Sequence, residues 1–239
     1  MDTFLFVFND GHCVLYLIVY VDDLILMGDK PNKITEFVAI LAKKFSLKDL
    51  GSLSYFLGIE IVPNSKGLIM SQRRYILELL EKTKMLEAKL VLTPLPTNAQ
   101  LCLHHGTTLP DATEYRTVVG SLQYLLISRP DIAFIVNRLS QYMHRPTTDH
   151  WTYVKRLLRY LSGTINDGIQ LYCNTGFDLH AFADADWGGN KDDFSSTGAY
   201  IIYLGRNPIS WSSKKQRTVA RSSTEAEYKS VANTIAEVN

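Results

Sequence analysis

Cysteine is scarce in this 239-residue chain. Cys13, Cys102 and Cys173 are odd in number, far apart and without paired metal spacing. That excludes a disulfide framework and points to a reducing compartment. Long apolar runs are missing too. Phe4–Phe8 and Cys13–Tyr20 are apolar, but Asn9, Asp10, Gly11 and His12 interrupt them and Asp22-Asp23 follow. Neither run approaches the roughly 18–20 residues of a spanning helix. A charged leader and a small-residue cleavage site are absent as well. The chain therefore reads as intracellular, in cytoplasm or nucleus, neither secreted nor in a membrane. Net charge is +1, so bulk charge argues neither for nor against a nucleic-acid partner, and only local clustering can. There is no internal repeat and no low-complexity tract. The histidines His12, His104, His105, His144 and His150 show no ligand spacing.

What is present suits a globular fold, with 46% hydrophobic and 21% charged residues. Phe4–Phe8 is of strand length, and Asn9-Asp10-Gly11 is a turn signal. Cys13–Val21 reads as a buried strand, with Leu24–Met27 as its return partner. Ile34, Phe37, Val38, Leu41 and Phe45 mark one face of an amphipathic helix. Leu53–Val62 returns to strand character, Pro63–Gly67 is a turn, and Leu68–Ser71 is the hairpin partner. Arg73–Met85 forms a helix striped by Tyr75, Ile76, Leu79 and Leu80. Glu87–Thr113, with Pro94, Pro96 and Pro110, reads as a linker. Three helices follow, Glu114–Ser128, Asp131–Met143 and Thr148–Leu161, with Pro130 and Pro146 at their boundaries. Then come strands Gly168–Cys173, Leu179–Asp186, Gly198–Leu204 and Pro208–Ser213, and a last helix, Ser222–Val238. Its expected buried stripe is Tyr228, Val231, Ala232 and Ile235.

Two acidic constellations carry chemistry. Asp22 and Asp23 sit at a turn between apolar strands. Paired carboxylates there are costly unless a cation neutralises them, and a rigid anionic tip suits Mg²⁺. On the strand through Asp184, side chains alternate, so Asp184 and Asp186 share one face and Ala181, Ala183 and Ala185 the other. Glu225 and Glu227 open the last helix and point about 200° apart, so only one of them can face a site on a given edge. Periodicity does not choose between them, and both also complement the helix dipole. Between Arg206 and Arg221 lie Lys214, Lys215 and Arg217 and no acid. Such a cluster suits phosphate contacts, or simply a solvated loop. Lys155, Arg156 and Arg159 add cations on the third connecting helix.

YVDDLILMG resembles the polymerase motif of reverse transcriptases in its copia-type form. FSLKDLGSLSYFLGIEI resembles the segment after the palm hairpin with its primer grip, and LIMSQRRYILELLEK the start of the thumb. YRTVVGSLQYLLISRPDIAFIVNRLSQYM and HWTYVKRLLRYLSGT resemble the copia-type connection. AFADADWGGN, followed by STGAYIIYLGRNPISWSSKKQRTVARSSTEAEY, is similar to the family's ribonuclease H domain. The motifs come in the family's order and cover the chain from about Leu15 to Val238.

The resemblance to copia-type retrotransposon Pol polyproteins implies an α+β fold. Residues 1–92 would be palm hairpin, primer grip and thumb, and 93–175 linker and helical connection. Residues 176–239 would be the N-terminal half of a ribonuclease H-like domain, three antiparallel strands plus one helix. It implies Asp22 and Asp23 as metal-site aspartates, with Tyr20 near the nucleotide and primer end. In the second site it implies Asp184 and selects Glu227, with Mg²⁺ the metal of both. Lys214, Lys215, Arg217 and Arg221 would bind nucleic acid. The implied partners are RNA, DNA, RNA–DNA hybrid and the remainder of the polyprotein. The implied activities are RNA-directed DNA synthesis and hybrid cleavage. The family's polymerase site also uses an aspartate from an earlier palm strand, and before Tyr20 this sequence has only Asp2 and Asp10. The family's remaining ribonuclease H acids lie beyond the last helix. The expectation for these 239 residues alone is therefore inactivity. The alternative to a Pol enzyme fragment is a relic or repurposed chain that at most binds nucleic acid.

Overall fold

The first hairpin shows how side chains from the turns organise this chain. In the computed structural model, which describes residues 4–239, Asp10 accepts from the backbone N–H groups of His12 (2.9 Å) and Cys13 (2.8 Å). Asp29 accepts from that of Val14 (3.0 Å). These bonds fix one end of an antiparallel sheet of β1 (Phe4–Asn9), β2 (Val14–Tyr20) and β3 (Asp23–Gly28), in that order. Asp10 is thus a turn residue, and Asp2 lies outside the described residues. Helix α1 (Pro31–Lys44) packs against β3, and β4 (Tyr55–Phe56) follows. Ile34, Phe37, Val38 and Leu41 are half-buried, while Phe45 has left the helix as its C-cap and is exposed. These elements belong to the first of two compact units, Met1–Leu57 and Gly58–Asn239.

Burial of Cys13–Val21 is the first correction. Only Cys13 and Leu15 are buried. All five residues of Phe4–Phe8 are more than half exposed. A three-stranded sheet with one short helix has too little cover for its apolar faces. The single strand expected over Leu53–Val62 is also broken, at Leu57 (φ 47°) and Gly58 (φ 75°). At Gly58 a Cβ would lie 2.9 Å from the Tyr124 hydroxyl, so glycine is needed both for the turn and for the close approach.

The second unit begins with β5 (Ile59–Asn64), β6 (Gly67–Ser71) and α2 (Arg73–Lys82). Ile76, Leu79 and Leu80 are buried on α2, as the stripe predicts. Next come α3 (Thr113–Leu125), a 3₁₀ turn at Pro130–Ile132, α4 (Ala133–Ser140) and α5 (Thr148–Gly163). Residues 87–112 hold no helix or strand, yet they are not loose. Leu101 and Cys102 are buried, and the Leu101 carbonyl accepts from the hydroxyl of Tyr142 (2.8 Å). The four helices share one core through Leu122, Leu125, Val136, Leu139, Leu157 and Leu158. Strand β7 (Ile169–Tyr172) returns to β6, with Met70 opposite Ile169. The last layer is an antiparallel sheet in the order β10-β9-β8, from β8 (Leu179–Ala185), β9 (Thr197–Leu204) and β10 (Asn207–Lys215). Helix α6 (Ser223–Val238) packs on β8 and β9. Among the described residues no helix is long and apolar enough to cross a membrane.

Among the polar side chains buried in the helical layer, Arg129 and His150 are the largest with nearly no exposure. Arg129 is 1% exposed. Its guanidinium makes a two-pronged pair with Asp131 (2.9 and 2.7 Å) and donates to the carbonyl (3.0 Å) and hydroxyl (2.8 Å) of Thr164. Burial works against both charges, but the pairing outweighs it. The Asp131 carboxyl is held below its ordinary value and the Arg129 guanidinium above its own. His150 is equally buried. Its Nδ1 accepts from the Thr147 backbone N–H (3.0 Å), so Nε2 carries the proton and donates to the Cys102 carbonyl (3.1 Å). The ring stacks on Tyr142 with centroids 4.0 Å apart. Burial pushes its pKa down.

Two outcomes follow. Arg129→Ala should cost about 2–3 kcal/mol in urea unfolding, because it opens the core and removes the donors to Thr164, while Asp131 keeps solvent and the Tyr160 hydroxyl. Arg129→Lys should recover only part of that, since an ammonium cannot form the fork. A loss below about 0.5 kcal/mol, the level of an ordinary surface site, would contradict this. The lowered His150 pKa means that the unfolded chain binds the proton more readily. Its contribution is complete above the ordinary value of 6.5 and declines as pH falls below it. His150→Gln can keep both hydrogen bonds, so its melting temperature should fall less than wild type between about pH 7 and pH 5. Equal slopes would remove His150 from the acid response.

Candidate functional site

The β2–β3 hairpin closes through a two-residue turn, with Tyr20 paired to Asp23. Val21 occupies the left-handed region at φ 51°. That region is strained for a β-branched residue, and Asn or Gly usually fills it in such turns. Residual strain of this kind concentrates at functional tips. Asp22 lies in the turn and Asp23 opens β3. Both are exposed, and neither carboxylate has a partner among the described residues. Tyr20 is half-buried, with its ring edge-on to Phe56 (centroids 6.5 Å apart).

In the second unit, α6 is pinned to its sheet by Ser230. Its hydroxyl, which has one proton to give, lies 2.8 Å from the Asp184 carbonyl and 3.1 Å from that of Ala199. A Cβ on Gly198 would lie 3.3 Å from the same hydroxyl, so the helix rests almost on backbone. This corrects the expected stripe. Ala226, Ser230 and Thr234 are the buried residues, and Tyr228 (72%), Val231 and Ile235 are exposed. Close packing selected small residues for the buried face. Glu227, one turn before Ser230, is half-buried, while Asp184 is exposed. Neither carboxylate has a hydrogen bond or ion pair among the described residues. Glu225 is occupied: it pairs with Lys229 (2.8 Å) and accepts from the Arg221 backbone N–H (2.8 Å). The Lys229 bond, then the Arg221 amide, hold its carboxyl below its ordinary value.

The neighbouring acids are structural. The Asp186 carboxylate accepts from the Thr197 backbone N–H. Asp192 accepts from the Leu103 backbone N–H (2.8 and 3.0 Å) and the Tyr142 hydroxyl (3.2 Å). Asp193 pairs with Lys215 and accepts from the Ser195 hydroxyl and amide. Burial opposes its ionisation, but Lys215 and Ser195 hold the carboxyl at about 2. Lys214, Lys215, Arg217 and Arg221 are all exposed, and Lys215 is the one whose charge is already matched. Beside them stands Trp187, 58% exposed, its indole N–H donating to the Ala220 carbonyl (3.1 Å). Sequence reasoning passed it over. An exposed, tethered aromatic next to cations has the make-up of the surfaces on which bases stack in single-strand binding proteins.

Each free pair supplies the oxygen donors that Mg²⁺ takes, but only two of them. Among the described residues no group of three or more His, Cys, Asp or Glu side chains is gathered to hold a metal ion. The donor sets fit Mg²⁺ in kind and are incomplete in number.

Substitution separates free acids from structural ones. Asp184→Asn and Glu227→Gln should leave the melting temperature unchanged within about 1 °C, since no bond is lost. Asp186→Ala and Asp192→Ala should lower it by several degrees, since each strands a backbone N–H. The Asp193 contribution is complete above the ordinary carboxylate value of 3.8 and is lost as pH falls towards 2. Asp193→Asn should flatten the acid limb there. Equal melting points across all five variants would reject the division.

Comparison with known proteins fits this arrangement. The family model described as "Reverse transcriptase (RNA-dependent DNA polymerase)" matches residues 1–97. The retrovirus-related Pol polyprotein from transposon RE2 of Arabidopsis thaliana is 55% identical over 237 residues, 99% of this chain and 16% of that protein. That from transposon TNT 1-94 of Nicotiana tabacum is 37% identical over 232 residues, 92% of this chain and 17% of that one. The chain thus spans about a sixth of the length of these polyproteins. An uncharacterized mitochondrial protein of Arabidopsis thaliana is 42% identical over 224 residues, 94% of this chain and 93% of its own length. No solved structure matches the chain. With transposon polyproteins matching it almost from end to end and a reverse-transcriptase model matching its first 97 residues, the chain belongs to the copia-type retrotransposon Pol family.

Proposed function

We propose that these 239 residues are the part of a Pol polyprotein that runs from the polymerase hairpin into ribonuclease H. On this reading residues 1–92 are palm hairpin, primer grip and thumb. Residues 93–175 are the connection, and 176–239 begin the ribonuclease H domain. The parent protein copies RNA into DNA and cleaves the RNA of a hybrid. Asp22 and Asp23 contribute to one Mg²⁺ site, and Asp184 and Glu227 to another, together with acids from elsewhere in the polyprotein. Bound there, the metal would activate the attacking oxygen and stabilise the leaving one. Tyr20 lies beside the first pair. Lys214, Arg217 and Arg221, with Trp187, form the nucleic-acid surface, and Lys215 contributes less because Asp193 neutralises it.

One observation carries the reading. Asp22 and Asp23 at the hairpin tip and Asp184 and Glu227 in the last layer have no hydrogen bond or ion pair among the described residues, while Asp10 and Asp29 beside the first pair and Asp186, Asp192, Asp193 and Glu225 beside the second are tied to backbone or to a cation. Carboxylates kept unpaired beside structural ones suit metal ligation better than they suit stability.

The second reading is a relic or repurposed chain that binds nucleic acid without chemistry. It is favoured by the donor count, because among the described residues no group of three or more His, Cys, Asp or Glu side chains is gathered to hold a metal ion. Two proteins decide between the readings. One is this chain, and the other is the same chain flanked by the matching upstream and downstream segments of the RE2 polyprotein. Primer extension and hybrid cleavage are assayed with Mg²⁺. The short chain should not exceed its own Asp22→Asn/Asp184→Asn double variant. The flanked chain should extend primers unless Asp22 is replaced, and cleave hybrid unless Asp184 is replaced. A flanked chain whose activities ignore both substitutions refutes the site assignment.

A further inference from the structure

A second cationic site lies in the helical layer, away in sequence from the basic stretch that ends at Arg221. Helix α5 turns Lys155, Arg156 and Arg159 towards a cavity of about 590 Å³, whose other wall includes Pro96, with Tyr153 beside the cations. Asp149 is the one carboxylate on the lining, so the formal charge there is positive. Lys155 with Arg159 and Arg156 with Arg159 stand four and three residues apart on the helix, spacings at which like charges repel. The chain keeps three cations there, with a single acid to offset them.

The two arginines are held by the facing segment. A terminal nitrogen of Arg156 donates to the Thr93 hydroxyl (2.9 Å), and Nε of Arg159 donates to the Lys89 carbonyl. Neither partner is an anion, so these hydrogen bonds orient the guanidinium groups without neutralising them. Nε of Arg156 is buried and has no partner at all. A buried N–H without an acceptor is costly, and one in a cationic cavity is suited to an anionic oxygen. Two guanidinium groups held by neutral partners and the exposed ammonium of Lys155 line one cavity and together match a tetrahedral oxyanion.

We infer that this cavity binds a backbone phosphate of a nucleic-acid strand through Lys155, Arg156 and Arg159. The inference rests on the Pol reading for its ligand and extends it to residues of the connection motif to which the resemblance assigns no ligand. A strand held both here and at Lys214–Arg221 is gripped at two places in the second unit, so the two sites should add in the salt dependence of binding. Phosphate binding of this kind fixes register and carries no sequence preference.

The test is anisotropy of a labelled RNA–DNA hybrid with the full chain across a salt titration. Three proteins are compared: wild type, Lys155→Gln/Arg156→Gln, and Lys214→Gln/Arg217→Gln. Lys155→Gln alone is included because its exposed side chain has no bond to lose. Inorganic phosphate is tested in parallel as a stabiliser in thermal melts. The cavity double variant should bind the hybrid several-fold more weakly. Its log–log salt slope should flatten by about one to two, at roughly 0.9 for each phosphate no longer neutralised. Lys155→Gln should move the same way by a smaller amount. If the cavity variants bind like wild type while Lys214→Gln/Arg217→Gln is weakened, the inference fails and the Pol reading stands. If inorganic phosphate stabilises wild type and not the cavity variant, yet hybrid binding is unchanged, the cavity takes free phosphate and the backbone assignment is overturned. If wild type does not bind the hybrid, both readings fall.

Discussion

The buried fork between Arg129 and Asp131 is the interaction on which the second unit depends. It lies where α3 gives way to the 3₁₀ turn and α4, and it reaches Thr164 just past α5. One guanidinium thereby fixes the junction of three helices. Three residues earlier, the Leu126 carbonyl accepts from the Trp211 indole (2.7 Å), which ties β10 to the same junction. The helical layer and the last sheet are registered at this point. A charge in that position is tolerated because its donors meet a carboxylate, a carbonyl and a hydroxyl, and any one of them alone would leave it costly.

The two layers of this unit are built differently. The helical layer has a broad aliphatic core. Under α6 the buried residues are Ala226, Ser230 and Thr234, and the neighbouring strands bury Ser196, Thr197 and Ser213. Small polar side chains let the helix approach the backbone, with Ser230 bridging two strands. While Ile202 is buried, several large apolar residues of that layer, Phe182, Tyr228 and Ile235, are exposed. The same holds for β1 in the first unit. Apolar surface on this scale is what a piece of a larger assembly shows where its neighbours would pack. In the polyprotein relatives, the aligned region is about a sixth of the whole.

Periodicity made the helices legible where burial is aliphatic. Ile76, Leu79 and Leu80 on α2 are the clearest case, and the hairpin that presents Asp22 and Asp23 could be read from two apolar runs and a break. It failed on α6, because a face of Ala, Ser and Thr carries no hydrophobic signal and the outward Tyr228, Val231 and Ile235 imitate one. Arg129 was invisible, since arginine is ordinarily a surface residue and its partners lie as far along the chain as Thr164. The return of β7 to β6 could not be seen either, because strand pairing across about a hundred residues leaves no local mark. The distinction between free and structural acids came only from geometry. Asp192 looks like any loop acid until Leu103 and Tyr142 are found on it.

In the proposed function Asp184 and Glu227 are the metal-facing acids of the last layer, and Asp192 and Asp193 are structural. Paramagnetic broadening by Mn²⁺ in the ¹⁵N-labelled chain tests this most directly, because weak binding by two carboxylates is enough to relax nearby amides. Broadening should centre on Asp184, Ala185 and Glu227 and disappear in Asp184→Asn. Broadening centred instead on Asp192 and Asp193, and indifferent to that substitution, would contradict that assignment.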